Sequence, residues 1–520
     1  MSSPSVPPPA PLPPQGPGAT DKGLKGGALG LFSSTVIGLA STAPAYSLAA
    51  TLGVIVGIVG FQSPIIIVLA FVPMFLIAYG YKELNRADPD CGTTFTWASR
   101  AFGPRTGWLG GWGIIAADII VMANLAQIAG AYGFQLIGAD GLAQNTFWVT
   151  FVGVVWIALM TLICYIGIEL SANLQKALLT IEVVVLVLLA VTALVKVYGG
   201  TAPAVSSEVS WSWFNPFEIN SFDDLTKSIL AGVFIYWGWD TAVSVNEETA
   251  DRDRTPGRAA VISTVILLLV YLMVTTSAQS FAGVGDKGIG LGNPDNSGDV
   301  LSSLGSEVFG DGGWGQVATK LLIVMVLTSA AASTQTTILP TARTTLSMAA
   351  FKAIPQRFAR IHPRFLTPTW STVGMGIASI AFYVMLTQVS ENVLADSIGS
   401  VGLMIAFYYG LTGFACVWYY RRVLTRSPRD LWTRGIMPGL GGAMLLYFFI
   451  NACIVYSAAD YGSTSWTLPF PPHWQLGGVF VTGIGALLVG AVLMLLYGAF
   501  RPAFFRKETI PVSAHDKEGH

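Results

Sequence analysis

Runs of about twenty mainly apolar residues, the length an α-helix needs to cross a ~30 Å hydrocarbon core, recur along this chain. They constrain its fold more than any other feature. Clear examples are Ser63 to Gly80, Val149 to Ile168, Ala177 to Val195, Ala259 to Ala278 and Leu476 to Leu496. A helix apolar on every face needs lipid or protein all around it. Of the 520 residues, 53% are apolar and only 11% charged, far from the balance of a soluble domain. A large soluble protein with many buried helices is excluded by the length of these runs, and the expected surroundings are a lipid bilayer. The formal net charge of −1 offers nothing to a nucleic-acid partner. Cys91, Cys164, Cys416 and Cys453 form no CxxC pair and no secretory framework, and read as small apolar fillers.

Twelve spans are predicted, over 28–55, 62–83, 106–136, 147–167, 172–197, 228–246, 258–284, 316–349, 369–388, 395–420, 435–458 and 475–500. The chain thus divides into a tail over 1–24, a core over 25–420 holding spans 1–10, two additional spans in 421–500 and a second tail over 501–520. The proline-dense stretch PSVPPPAPLPPQGP cannot pack a core, so the first tail is expected to be disordered. A cleavable signal peptide is not expected, because the first apolar segment is too long and follows that tail rather than a short basic region.

Loop charge tests the count. Lys and Arg gather on the cytoplasmic side of membrane proteins, and here they gather in every second loop. Lys82, Arg86, Arg100 and Arg105 follow span 2, and Arg252, Arg254 and Arg258 follow span 6. Lys352, Arg357, Arg360 and Arg364 follow span 8; Arg421, Arg422, Arg426, Arg429 and Arg434 follow span 10. The opposite loops are mainly acidic, with Glu208, Glu218, Asp223, Asp224, Asp286, Asp295, Asp299, Glu307, Asp311 and Asp460 against only four lysines. Both termini are therefore expected in the cytoplasm, with the protein in the plasma membrane.

An ionisable residue at the bilayer centre costs at least ~2.5 kcal/mol on insertion scales, so each is a functional candidate. Asp118 in span 3, Glu182 in span 5 and Asp240 in span 6 lie near the midplane, roughly 15–18 Å deep at ~1.5 Å per residue, with no Lys or Arg at that depth. The alternative for each is a protonated acid that only hydrogen-bonds a neighbouring helix. Together they suit proton-coupled transport, a cationic substrate, or both. Asn124 and Gln127 share span 3 with Asp118, but Gln127 points roughly opposite to it. At least one of the two reads as interhelical glue, as do Gln335 and Asn451.

Two spans carry features that interrupt a helix. Span 1 holds Gly38 to Ser47, GLASTAPAYS, in which Pro44 removes a backbone donor. Span 6 holds Tyr236-Trp237-Gly238-Trp239-Asp240, a glycine and a carboxylate among bulky aromatics. The alternative is an ordinary proline kink and a packing glycine. Interrupted helices at corresponding places in two halves point to a midplane site in transporters built from inverted repeats. Exposed N–H groups at a half-helix start hold a carboxylate, and freed carbonyls at a half-helix end accept from an ammonium.

Three further motifs follow in order. The first is Tyr81-Lys82-Glu83-Leu84-Asn85, Asp88-Pro89-Asp90-Cys91-Gly92-Thr93-Thr94-Phe95-Thr96-Trp97 and Arg100-Ala101-Phe102-Gly103-Pro104. The second is Gly238-Trp239-Asp240 followed by Glu247-Glu248-Thr249. The third is Ala342-Arg343, Ile354-Pro355, Phe358-Ala359, Ile361-His362-Pro363-Arg364-Phe365 and Thr367-Pro368. In these the chain resembles the amino acid–polyamine–organocation (APC) permease superfamily, over nearly everything from Gly26 to about Arg421. The resemblance implies an all-α integral membrane fold, a five-plus-five inverted repeat of the leucine-transporter type (about 28–197 and 228–420), plus two extra helices. It implies a substrate α-carboxylate near Gly38, Ser41, Thr42 and Ala43. It further implies an α-amino group at carbonyls around Tyr236, Trp237 and Gly238, with Trp237 or Trp239 as an aromatic gate or a surface for a cation.

Two departures qualify the likeness. The family's glycine-rich "G-x-G-I-F" of span 1 is replaced by Leu39-Ala40-Ser41-Thr42-Ala43-Pro44. Glu182 falls where some proton-coupled relatives carry a lysine; a buried carboxyl also carries a proton. Ser333 and Thr334 in span 8 offer hydroxyl oxygens to a sodium ion instead, and proton coupling is preferred over sodium. The expected function is secondary active import of an amino acid or related amine, with a lean to cationic amino acids or polyamines, and with no cofactor beyond H⁺ or Na⁺. Substrate exchange without net ion coupling is the nearest alternative. A channel lacks the continuous polar stripe it needs. An enzyme lacks its ligands or nucleophile, since His362, His473, His515 and His520 all lie in loops or the tail.

Overall fold

The computed structural model describes residues 21–296, 299–310 and 312–509, save the side chains of Glu391, Ala395 and Ile398. Most of both expected tails thus lies outside the described residues, although the chain is placed from Asp21 onward. The helices are α1 (Leu31–Ser41), α2 (Pro44–Val59), α3 (Ser63–Ala87), α4 (Thr94–Phe102), α5 (Pro104–Leu136), α6 (Asp140–Ala143), α7 (Thr146–Ile166), α8 (Ile168–Tyr198) and α9 (Phe222–Ile235). They continue with α10 (Thr241–Ser244), α11 (Thr255–Ala282), α12 (Val300–Phe309), α13 (Gly313–Ala350), α14 (Thr369–Val389), α15 (Glu391–Tyr420), α16 (Pro428–Asp430), α17 (Met437–Ser457) and α18 (Gly478–Phe500). A short antiparallel hairpin, β1 (Ser465–Thr467) with β2 (Gln475–Gly477), precedes α18.

Ten helical stretches among the described residues are long and apolar enough to cross a membrane. The first, Leu31–Ala87, runs for 57 residues, far more than one crossing needs. It is interrupted after Ser41, and a single 3₁₀ turn, Gly60–Gln62, separates α2 from α3. The outermost helices show their apolar side chains to the surroundings. Phe151, Val155, Leu159 and Leu162 are exposed along one face of α7, spaced by three or four residues. Such a stripe is stable against lipid and not against water. By contrast, 78% of the apolar stretch is buried in both α5 and α15, against 22% in α18, so α5 and α15 lie inside. This is an all-α membrane protein.

Several boundaries differ from expectation, each for a tertiary reason. Span 6, predicted over 228–246 with an interruption, starts earlier: α9 begins at Phe222, where the Ser221 hydroxyl accepts from the Asp224 amide, and ends at Ile235. Residues 475–477 form β2, and the last helix begins only at Gly478. The unforeseen α4 lacks an apolar run because its partner is another helix rather than lipid. Its first two turns, Thr94 to Ser99, are buried against α5, whose Gly107, Gly110 and Gly111 present only backbone there.

The loops rich in arginine end in a buried charged layer. The Arg343 guanidinium on α13 grips Glu248 in a fork, Nε to Oε2 at 3.0 Å and Nη2 to Oε1 at 2.7 Å, with neither side chain exposed. Lys22 inserts its ammonium between Asp90 (2.8 Å) and Glu247, both pairs almost fully buried. Leu29 forms a parallel bridge with Thr249, so the segment before α1 is tied to the segment after α10. Burial opposes charge on Lys22, yet its acidic neighbours, Asp90 first, hold the ammonium well above the ordinary lysine value of 10.5. Burial likewise opposes charge on Asp90. The Lys22 ammonium and hydrogen bonds from Lys22, Ser347 and Gly92 nevertheless hold its carboxyl well below the ordinary 3.8.

Lys22→Met strands two buried carboxylates and is expected to cost about 3–5 kcal/mol, read as a loss of thermal stability in detergent. The depressed Asp90 contributes stability present above about pH 4 and lost as pH falls; the raised Lys22 contributes stability present below about pH 10.5 and lost as pH rises. The mutant should therefore lose both flanks of the pH–stability profile. At Gly107 a Cβ would meet the Ser99 amide at 2.5 Å and the Phe95 carbonyl at 2.6 Å, so Gly107→Ala should cost roughly 1–3 kcal/mol. Gly133→Ala, with nothing within 4 Å, should be neutral or stabilise by up to ~1 kcal/mol.

Candidate functional site

The two interruptions lie against each other. Span 1 leaves α1 at Ser41, passes Ala43 in the left-handed region (φ 45°) and restarts at Pro44. Span 6 leaves α9 at Ile235 and restarts at Thr241, with Gly238 at φ +117°. A Cβ at Gly238 would lie 2.7 Å from the Ser41 carbonyl oxygen, so glycine is required there both for its backbone angle and for this approach. The Ser41 hydroxyl shares a 2.8 Å hydrogen bond with Thr241, and the Ser333 hydroxyl of α13 donates to the Ser41 carbonyl at 3.2 Å. Turn bonds in span 6 resume with Thr241 N–H to the Gly238 carbonyl, which leaves the Tyr236 and Trp237 carbonyls outside the helical ladder.

A narrow, closed cleft lies at this junction, lined by Ser41, Asp118, Trp237, Asp240, Thr337 and Tyr408 among others. Its lining holds two carboxyls and no lysine, arginine or histidine. Asp240 accepts from the Tyr409 hydroxyl at 2.7 Å and more weakly from Tyr408 at 3.4 Å; Tyr408 in turn accepts from the Trp237 indole. Asp118 accepts from Thr341 at 2.5 Å. Its walls approach too closely to leave room for even a water molecule.

Of the expected residues, the structure brings Ser41, Trp237, Gly238, Asp240 and Asp118 to this cleft, and the others go elsewhere. Gly38 is a packing glycine inside α1, where a Cβ would lie 2.7 Å from the Ser263 hydroxyl. Thr42 turns its hydroxyl back to the Leu39 carbonyl, and the Thr42 and Ala43 amides are spent on Leu39 and Ala40. Tyr236 bonds the Ile67 carbonyl and stacks edge-on against Tyr271. Trp239 is fully buried between Tyr81 and Tyr409, off the lining of the cleft. Ser333 and Thr334 do not share a site: Thr334 faces the Trp156 indole and bonds the Ala330 carbonyl.

Glu182 also stands apart from the cleft. Its Oε1 accepts from the Ala45 amide at 2.7 Å and the Ser329 hydroxyl at 2.8 Å, at the start of α2. Asn124 bonds Ser397 and Gln127 bonds Tyr383, so both tie helices together, as Gln335 does by accepting from Ser171. His362 stays within its loop, accepting from the Arg364 and Phe365 amides. Cys91, Cys164 and Cys416 are buried and all four cysteines are free. Asp90, Cys91 and Glu247 converge within 4.8 Å, the one such cluster of potential metal ligands among the described residues, and the Lys22 ammonium already pairs with both of its carboxylates.

Tyr408, Tyr409, Thr337 and Thr341 were not anticipated. The tyrosine pair in span 10 and the hydroxyls around Pro340 in span 8 are visible in sequence, but nothing there states that both spans face the two breaks.

Comparison with known proteins identifies the family. A family model described as amino acid permease matches residues 29–480. The vacuolar cationic amino acid transporter 4 of Arabidopsis thaliana is 28% identical over 364 residues, covering 65% of this chain and 54% of that protein, so the match spans about half of the plant relative's length. An uncharacterised transporter of Mycobacterium tuberculosis is 27% identical over 83% of this chain and 88% of its own. The low-affinity putrescine importer PlaP of Escherichia coli K12 is 22% identical, over 81% and 88% respectively. One family model spans both broken helices and the cleft, and the chain belongs to the amino acid permease family of the amino acid–polyamine–organocation superfamily, as a membrane transporter and not an enzyme.

Proposed function

We propose that this permease is a secondary active transporter of a cationic amino acid or polyamine, working by alternating access in the plasma membrane and coupled to protons. The observation that carries the reading is the cleft at the two touching breaks, with Asp118 and Asp240 on its walls and no basic side chain. An ammonium entering there gains charge-assisted hydrogen bonds in a low-dielectric site, with the Tyr236 and Trp237 carbonyls as further acceptors and Trp237 as an aromatic face. The printed functions of the plant relatives and of the putrescine importer support a cationic substrate.

Twelve passes with both ends cytoplasmic fit this arrangement. Leu31–Ala87 counts as two passes and the broken α9–α10 as one. The broken α1–α2 and α9–α10, at corresponding places of two halves, support a five-plus-five inverted repeat with α17 and α18 as the extra pair. Proton coupling is favoured over sodium because the two span 8 hydroxyls face different neighbours, whereas Glu182 is a fully buried carboxyl between three helices.

Uptake of labelled arginine, lysine and putrescine into proteoliposomes tests this. An inward proton gradient should accelerate uptake of at least one of them. Uptake that ignores pH and sodium gradients but requires internal substrate replaces symport with exchange. Asp240→Asn should lower uptake at least tenfold, as loss of a hydrogen bond to a charged group worth roughly 1.5–3 kcal/mol implies; near-normal rates remove Asp240 from the mechanism. Glu182→Gln should flatten the pH dependence while binding stays measurable by thermal shift.

A further inference from the structure

Helix α2 has one electropositive end, and it opens at the break. Pro44 has no amide hydrogen, so the first donors of the helix are Ala45 and Tyr46. The Ala45 N–H donates to Glu182 Oε1 at 2.7 Å, the Tyr46 N–H to the Ser329 hydroxyl oxygen at 3.3 Å, and that hydroxyl to the same Oε1 at 2.8 Å. Glu182 reaches this place from α8, has no exposed surface, and its second oxygen, Oε2, is buried with no hydrogen-bond partner. A carboxylate is thus already seated where the amides and dipole of α2 would receive one, and only the turn Thr42 to Pro44 separates that seat from Ser41 on the cleft wall.

The rest of the junction gives a ligand carboxylate little. The last turn of α1 presents the opposite end of a helix dipole. Helix α10 has only four residues. The cleft itself holds Asp118 and Asp240 with no cation. An amino acid that placed its ammonium on either acid would bring its own carboxylate into a field of like charge. The corresponding amine without that carboxylate would not.

We propose that Glu182 is a tethered carboxylate filling the place a substrate carboxylate would take, so that the transporter selects decarboxylated amines and diamines over the amino acids they correspond to. This rests on the cleft being the amine site, as argued above, and adds the substrate class.

Two pairs of compounds that differ only in the carboxylate test it: agmatine with arginine, and cadaverine with lysine, each as labelled substrate and as competitor in proteoliposomes. The unaltered protein is expected to prefer the decarboxylated member of each pair at least tenfold. Glu182→Ala, which vacates the seat, should reduce that preference at least tenfold by admitting the amino acids. Glu182→Gln keeps an acceptor oxygen on Ala45 and Ser329 and should retain more of the preference than the alanine variant. Should Glu182→Ala not survive purification, Ser329→Ala, which loosens Glu182, is expected to shift the ratio in the same direction at least twofold. If arginine moves as well as agmatine in the unaltered protein, or if vacating the seat leaves both ratios unchanged, the tethered carboxylate is overturned while amine transport stands. Failure to move any of the four compounds overturns the amine reading and this inference with it.

Discussion

Backbone polar groups inside an apolar bilayer have no water to turn to, so each must find a partner within the protein. A helix satisfies this automatically; a broken helix does not. This chain breaks two of its spans, and the rest of the architecture is arranged around completing them. The breaks touch through Gly238 and the Ser41 carbonyl. Side chains from α8 and α13 supply what the backbone lost: Glu182 and Ser329 on the first amides of α2, and Ser333 on Ser41. The Trp237 carbonyl remains outside the ladders, and Trp237 lines the cleft that holds Asp118 and Asp240.

The ionisable groups are sorted by the same constraint. At the bundle end that carries the arginine-rich loops, buried charges occur as pairs, Arg343 with Glu248 and Lys22 with Asp90 and Glu247. These pairs join segments far apart in sequence, namely the start of the chain, the loop after α3, the end of span 6 and the end of α13. In the middle of the bundle the acids have hydroxyl partners instead: Thr341 for Asp118, Tyr409 and Tyr408 for Asp240, Ser329 for Glu182. A pair neutralises and locks. A hydroxyl satisfies a carboxyl without cancelling its charge.

The site was partly legible in sequence because an acid in an apolar run is conspicuous whatever surrounds it. Asp118, Glu182 and Asp240 stand out on cost alone, and Pro44 and Gly238 stand out as residues a continuous helix avoids. Hydroxyl and aromatic residues carry no such mark. Tyr409 on Asp240 and Thr341 on Asp118 differ in no local respect from the Tyr271 and Thr276 that serve packing and backbone bonds. Gly38 read as part of a binding turn and proved to be a close contact with Ser263, since small residues suit both roles equally.

By itself the sequence determined that the chain lives in a bilayer, roughly where its long apolar helices run, and which two spans are interrupted. Those are properties of local composition: apolar length, proline, glycine and isolated charge act within a turn or two of where they stand. Only the tertiary structure decided that the breaks meet, that Asp118 and Asp240 share one cleft while Glu182 closes the start of α2, and that Lys22 is held by residues 68 and 225 positions away. Those outcomes depend on how whole helices lie against one another. That is set by the sum of many weak packing contacts and by the demand that every buried polar group find a partner, and no short stretch of sequence carries either.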